Sequence, residues 1–198
     1  METPEKILTP EESLQLIGQT IANYKRNYKE ESYYFLLWGW LSVVASISQY
    51  LIIKILCAYQ YYHWINTLSF VNWGFFLAVA MFIQYRHHYK RVISVASHLS
   101  KFIKLMWQVN GMAIIISIFL SFKFKTYPVP LILLIVGIPT LITGGIIKFK
   151  PLILGGLAFF AFSILASFYP NENQLLIYAV ALVLGYLVPG YLLKSAKE

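Results

Sequence analysis

The residues best suited to metal chemistry are His87, His88 and His98, which bracket a basic stretch of chain. On one continuous helix the eleven-residue step from His87 to His98 restores the same face. It also separates the two rings by three turns, about 16 Å, too far for one ion. A reversal of the chain between them would bring them together, but no carboxylate or Cys stands nearby to complete a ligand set. The triad therefore reads as interfacial histidines in contact with lipid headgroups.

Nucleophile-and-base chemistry has as little to work with. The long apolar stretches contain Ser but no His at a matching depth. No acid or His occupies the central part of any of them, which disfavours a proton-coupled carrier. The chain has no Asp, so Asp-dependent phosphotransfer is excluded. No catalytic residue, metal or cofactor is expected.

Uncharged polarity remains. Gln49 and Asn72 fall at comparable depth in neighbouring apolar stretches, and Gln84, Gln108 and Asn110 fall toward the opposite side. Amides in hydrocarbon must find partners, and hydrogen bonds between helices supply them at about 0.6 kcal/mol each. The alternative is a pocket for a small neutral or lipid-like ligand, which needs only a few placed polar groups.

The elements that carry these residues follow from composition. The chain of 198 residues is 59% hydrophobic and 12% charged, about half the charge of an ordinary soluble domain. All eight acids are Glu, and six of them precede residue 32. Six apolar runs follow, at 33–53, 64–85, 105–122, 129–147, 152–168 and 174–193, each long enough to cross about 30 Å of hydrocarbon. The expected fold is an all-α integral membrane protein. It comprises an N-terminal amphipathic helix (1–31), a six-helix transmembrane bundle (32–194) and a short tail (195–198). The acidic start, without an apolar core, is not expected to be a cleavable signal peptide. The single Cys57 rules out an internal disulfide.

Charge sets the expected orientation. Thirteen of the sixteen Lys and Arg flank one side of the spans, and only Lys54, Lys123 and Lys125 flank the other. The positive-inside bias then puts both termini and the 86–104 segment in the cytoplasm, facing anionic lipid headgroups. Basic residues at span edges fit a membrane better than nucleic acid, which is not an expected partner. Tyr33, Tyr34, Trp38, Tyr85, Trp107 and Tyr191 are expected to form an inner aromatic belt. Tyr59, Tyr61, Tyr62, Trp64, Tyr127 and Tyr169 are expected to form an outer one.

Before the first run, Thr9-Pro10-Glu11-Glu12 is a capping box with Pro at the first helical position. Leu14, Ile17, Ile21, Tyr24 and Tyr28 then make one apolar stripe. This helix either lies on headgroups or under the bundle, or serves as a seam for a second copy or a protein partner through residues 9–31. Val92, Ala96, Leu99 and Ile103 suggest that the second and third spans continue past the membrane as helices.

Near the other end, Leu-Ile-x-Gly-Gly-x-x-x-Phe occurs twice, at 141–149 and 152–160. Its glycines, Gly144, Gly145, Gly155 and Gly156, flank the Lys148–Pro151 turn and predict a closely packed hairpin. Pro139 and Pro189 should kink the fourth and sixth spans, because each deletes a backbone donor and crowds the preceding turn.

Glu12-Ser13-Leu14-Gln15-Leu16-Ile17 leading to Leu36-Leu37-Trp38-Gly39-Trp40, together with the Gly144–Gly156 hairpin, resembles a family of small bacterial multi-pass membrane proteins. The resemblance implies a bacterial inner-membrane location and carries no activity. Two functional expectations remain. One is a non-enzymatic accessory, scaffold or sensory module working through cytoplasmic helices. The other is a small oligomeric transporter or channel for an uncharged or lipid-like substrate.

Overall fold

The computed structural model describes residues 10–89, 98–169 and 171–195, with side chains from residue 32 onward except 88, 89 and 98–100. Among the described residues every regular element is helical. Many of these residues are Ile, Val, Phe and Tyr, types that favour strands in water. In a dry solvent a lone strand leaves its backbone polar groups unpaired, whereas a helix satisfies them within itself.

The elements are α1 (Pro10–Ala58), a 3-10 turn (Tyr62–Trp64), α2 (Ile65–Tyr89), α3 (His98–Phe124), α4 (Val129–Ile146), α5 (Lys150–Ser167), α6 (Gln174–Leu182), a π turn (Val183–Leu187) and α7 (Val188–Ser195). The last three form one span. Among the described residues, six stretches are long and apolar enough to cross a membrane: Ser32–Ala58, Tyr62–His87, Lys101–Phe124, Val129–Ile146, Lys150–Ser167 and Gln174–Ser195. The amphipathic segment is not a separate element, since α1 continues from it into the first span without a break. The stripe expected at Val92 and Ala96 lies outside the described residues.

The core is built from α1, α4, α5 and the sixth span, with Leu133, Leu152, Phe159 and Leu182 almost fully enclosed. Gly39 of α1 packs so closely on the π turn that a methyl group there would lie 2.7 Å from Leu187 Cδ2. Ser46 Oγ, on the same side of α1, donates to the Leu175 carbonyl at 2.6 Å. α2 packs on α1, and α3 packs mainly on α4. The outward surfaces are apolar: Phe70, Phe75, Phe82, Met112, Ile115 and Phe119 are all more than half exposed. Buried positions, by contrast, include Ser46, Gln49, Asn110, Ser117, Ser121, Thr140 and Thr143. Large apolar groups outside and small polar ones inside suit a multi-pass membrane protein, because lipid, unlike water, does not drive apolar side chains inward.

Three helix ends reverse through a left-handed residue that is not glycine: Gln60 (φ 60°), Lys125 (φ 53°) and Lys148 (φ 55°). At each, two amides beyond the helix bond back to its last carbonyls. Phe149 N–H reaches Gly144 O at 2.9 Å and Lys148 N–H reaches Gly145 O at 3.2 Å, the pattern that satisfies orphan helix carbonyls. No glycine among the described residues has positive φ.

Candidate functional site

Three of the five predicted amides meet at the α1–α2 interface. Asn72 Nδ2 donates to the Ala45 carbonyl at 3.0 Å, while Ser48 Oγ donates to Asn72 Oδ1 at 2.8 Å. Gln49 Nε2 donates to Ser69 Oγ at 2.6 Å, and the Ser69 hydroxyl in turn donates a hydrogen bond to the Ile65 carbonyl. Gln84 Oε1 accepts from Trp38 Nε1 at 3.1 Å. These contacts stitch α2 to α1 along most of its length. The five amides do not converge on one cavity. Gln108 is exposed on α3, whereas Asn110 is buried and its Oδ1 has no partner.

Asn110 belongs to the inward face of α3, which mixes polar and apolar residues. Ile103, Trp107, Asn110, Ile114, Ser117 and Ser121 recur at spacings of three and four, so they share one side of the helix. The side-chain oxygens of Asn110, Ser117 and Ser121 are enclosed without a hydrogen-bond partner. Trp107 in this row contacts Phe35 at 5.9 Å and Tyr186 at 6.3 Å between ring centroids.

The glycine motif divides its labour. Gly144 and Gly156 close the α4–α5 hairpin: a Cβ on either would come within 2.7 Å of the opposing backbone, at Ile153 N or Leu141 N. Gly155 faces the sixth span instead, where a Cβ would lie 2.6 Å from the Gly185 carbonyl oxygen. Gly145, expected to pack, does not, because nothing would lie within 4 Å of its Cβ and the residue is exposed.

Pro189 is buried and explains the π turn. It has no N–H for the Gly185 carbonyl and its ring crowds that turn. The helix widens just before it, so that Val188 N–H bonds the Val183 carbonyl five residues back. This widening brings Tyr186 against Phe35 and Phe159, with centroids at 5.5 and 4.9 Å. Pro139 is buried inside α4, and beside it Thr140 Oγ1 donates to the Val136 carbonyl at 2.7 Å.

Beyond the Gln84 bond, where α1 and α2 meet at the basic end, Tyr33, Phe82, Ile83, Arg86 and His87 line an open groove of about 310 Å³. The His87 ring stacks on Tyr33 at 3.9 Å, with the planes within 11°. The Arg86 guanidinium lies over the Phe82 ring, 5.8 Å from its centroid. The side chains of His88 and His98 lie outside those described. By sequence, Arg86 belongs to the charge asymmetry and Tyr33 to the inner aromatic belt. Their meeting follows from the α1–α2 register, which spacing within one helix does not reveal.

At the opposite end Lys54 Nζ bonds Glu172 Oε1 at 2.7 Å, tying the end of α1 to the turn before α6. This hydrogen bond holds the Glu172 carboxyl below the usual carboxylate range. Their pairing depends on how the sixth span docks on α1, which spacing along the chain does not reveal. Compared with known proteins, the chain matches no family model, no curated protein and no solved structure.

Proposed function

We propose that this chain is a multi-pass protein of the bacterial inner membrane, with both ends in the cytoplasm. In this reading it acts without catalysis, as a scaffold or sensory module worked through its N-terminal helix. The observation that carries the reading is the continuity of α1. Residues 10–31 extend the first span by about 33 Å of helix at 1.5 Å per residue. The membrane part of that helix is also the hub of the bundle, packed on α2, α6, the π turn and α7. A partner or headgroup engaging the arm would therefore act on the core through one continuous helix. The lack of an acid or His in the middle of any span supports a role without proton chemistry.

Deleting residues 1–30 tests this directly. The expected result is retained membrane insertion with loss of the wild-type protein's cellular partners and phenotype. Unchanged partners and phenotype would end the proposal.

A second reading, an oligomeric transporter or channel for an uncharged substrate, draws on one observation: the unpartnered oxygens of Asn110, Ser117 and Ser121 along one face of α3. Assembly of several copies and solute flux into proteoliposomes would favour it. A monomer in sealed, impermeable liposomes would count against it.

A further inference from the structure

The groove at the basic end of α1 and α2 has the chemistry of a lipid site rather than of a passive seam. Arg86 is exposed at the mouth of the groove. Its guanidinium carbon lies 5.8 Å from the Phe82 ring centroid, and a guanidinium's fork of N–H donors suits a phosphate held in bidentate fashion. Tyr33 and His87 form a stacked aromatic wall beside it. From Arg86 along α2, Phe82, Ala78, Phe75 and Val71 follow at spacings of four, four, three and four. All four are exposed, and they form one apolar track running away from the charge. A cation at the head of an apolar track matches an anionic headgroup joined to an acyl chain, and the excess of Lys and Arg at this end supplies the complementary field.

We propose that this groove binds an anionic phospholipid, with its phosphate on Arg86 between Phe82 and the Tyr33–His87 stack and an acyl chain along Val71–Phe82. The proposal rests on the helices lying in a bilayer but not on any role for the N-terminal arm.

The test uses the full chain in nanodiscs of equal parts phosphatidylglycerol and phosphatidylcholine, with retained lipids counted by native mass spectrometry. Wild type should retain phosphatidylglycerol preferentially. Arg86→Gln should lower that preference about fivefold, the scale of one basic residue at an anionic surface. Arg86→Lys should restore only part of it, and Lys123→Gln, at the other end of the bundle, should leave it unchanged. Phe82→Ser should weaken retention of both lipids. Equal preference in wild type and Arg86→Gln would overturn the site. Displacement of the lipid by inorganic phosphate would show an anion site without an acyl component, and so would also overturn it. Failure of wild type to enter nanodiscs would instead refute the membrane placement beneath it.

Discussion

Lys54 and Glu172 are 118 positions apart in sequence and 2.7 Å apart in space, and their bond joins the first span to the last at one end of the bundle. Glu172 is the lone acid between residues 32 and 195. Its carboxyl is held low by the hydrogen bond from Lys54, so its contribution is present above the ordinary carboxylate range and disappears as pH falls through the folded value. Glu172→Gln should therefore melt below wild type at neutral pH, and the gap should close in acid. High salt should narrow the gap as well, because both groups are partly exposed. A gap that widened in acid would reverse the sign of this argument.

Adjacent glycines should respond in opposite ways. Gly144→Ala forces a methyl group against the Ile153 backbone, and Gly185→Ala forces one into the Phe159 ring. Each should cost about 1–3 kcal/mol, the usual range for overpacking. Gly145→Ala meets open space, so it should be neutral or stabilising by up to about 1 kcal/mol through helix propensity. Unfolding in mixed micelles by denaturant titration would resolve the contrast, and equal effects at 144 and 145 would contradict the packing described.

That contrast marks where sequence reading stops. Run length alone predicts six spans, because a dry solvent leaves each apolar segment little choice but helix. Spacing also places Gly144 and Gly156 at a hairpin, since close approach on either side of a short turn needs no further information. It does not separate Gly155 from Gly156, because which neighbour each faces depends on how the sixth span docks. Gln108 and Asn110 are two residues apart, yet one is exposed and the other buried, a distinction set by the rotation of α3 about its axis. The π turn was legible only as a disturbance expected from Pro189.

The left-handed turn at Lys148 gives a prediction of gain. An L side chain in that conformation costs about 1–2 kcal/mol, which glycine avoids. Lys148→Gly should raise stability by about 1 kcal/mol after the added freedom of the unfolded chain is subtracted. Thermal unfolding followed by circular dichroism would register the rise, and a fall would mean that the Lys148 side chain supplies more than it strains.

Cys57 offers the most direct measurement of the membrane arrangement as a whole. It is the only thiol in the chain, it is exposed, and it lies one turn beyond Lys54 at the end of α1. In the proposed orientation, that turn faces outward. An impermeant maleimide should therefore label Cys57 in intact spheroplasts, and lysis should add little. Labelling that appears only after lysis would contradict the orientation and the cytoplasmic role given to the N-terminal helix.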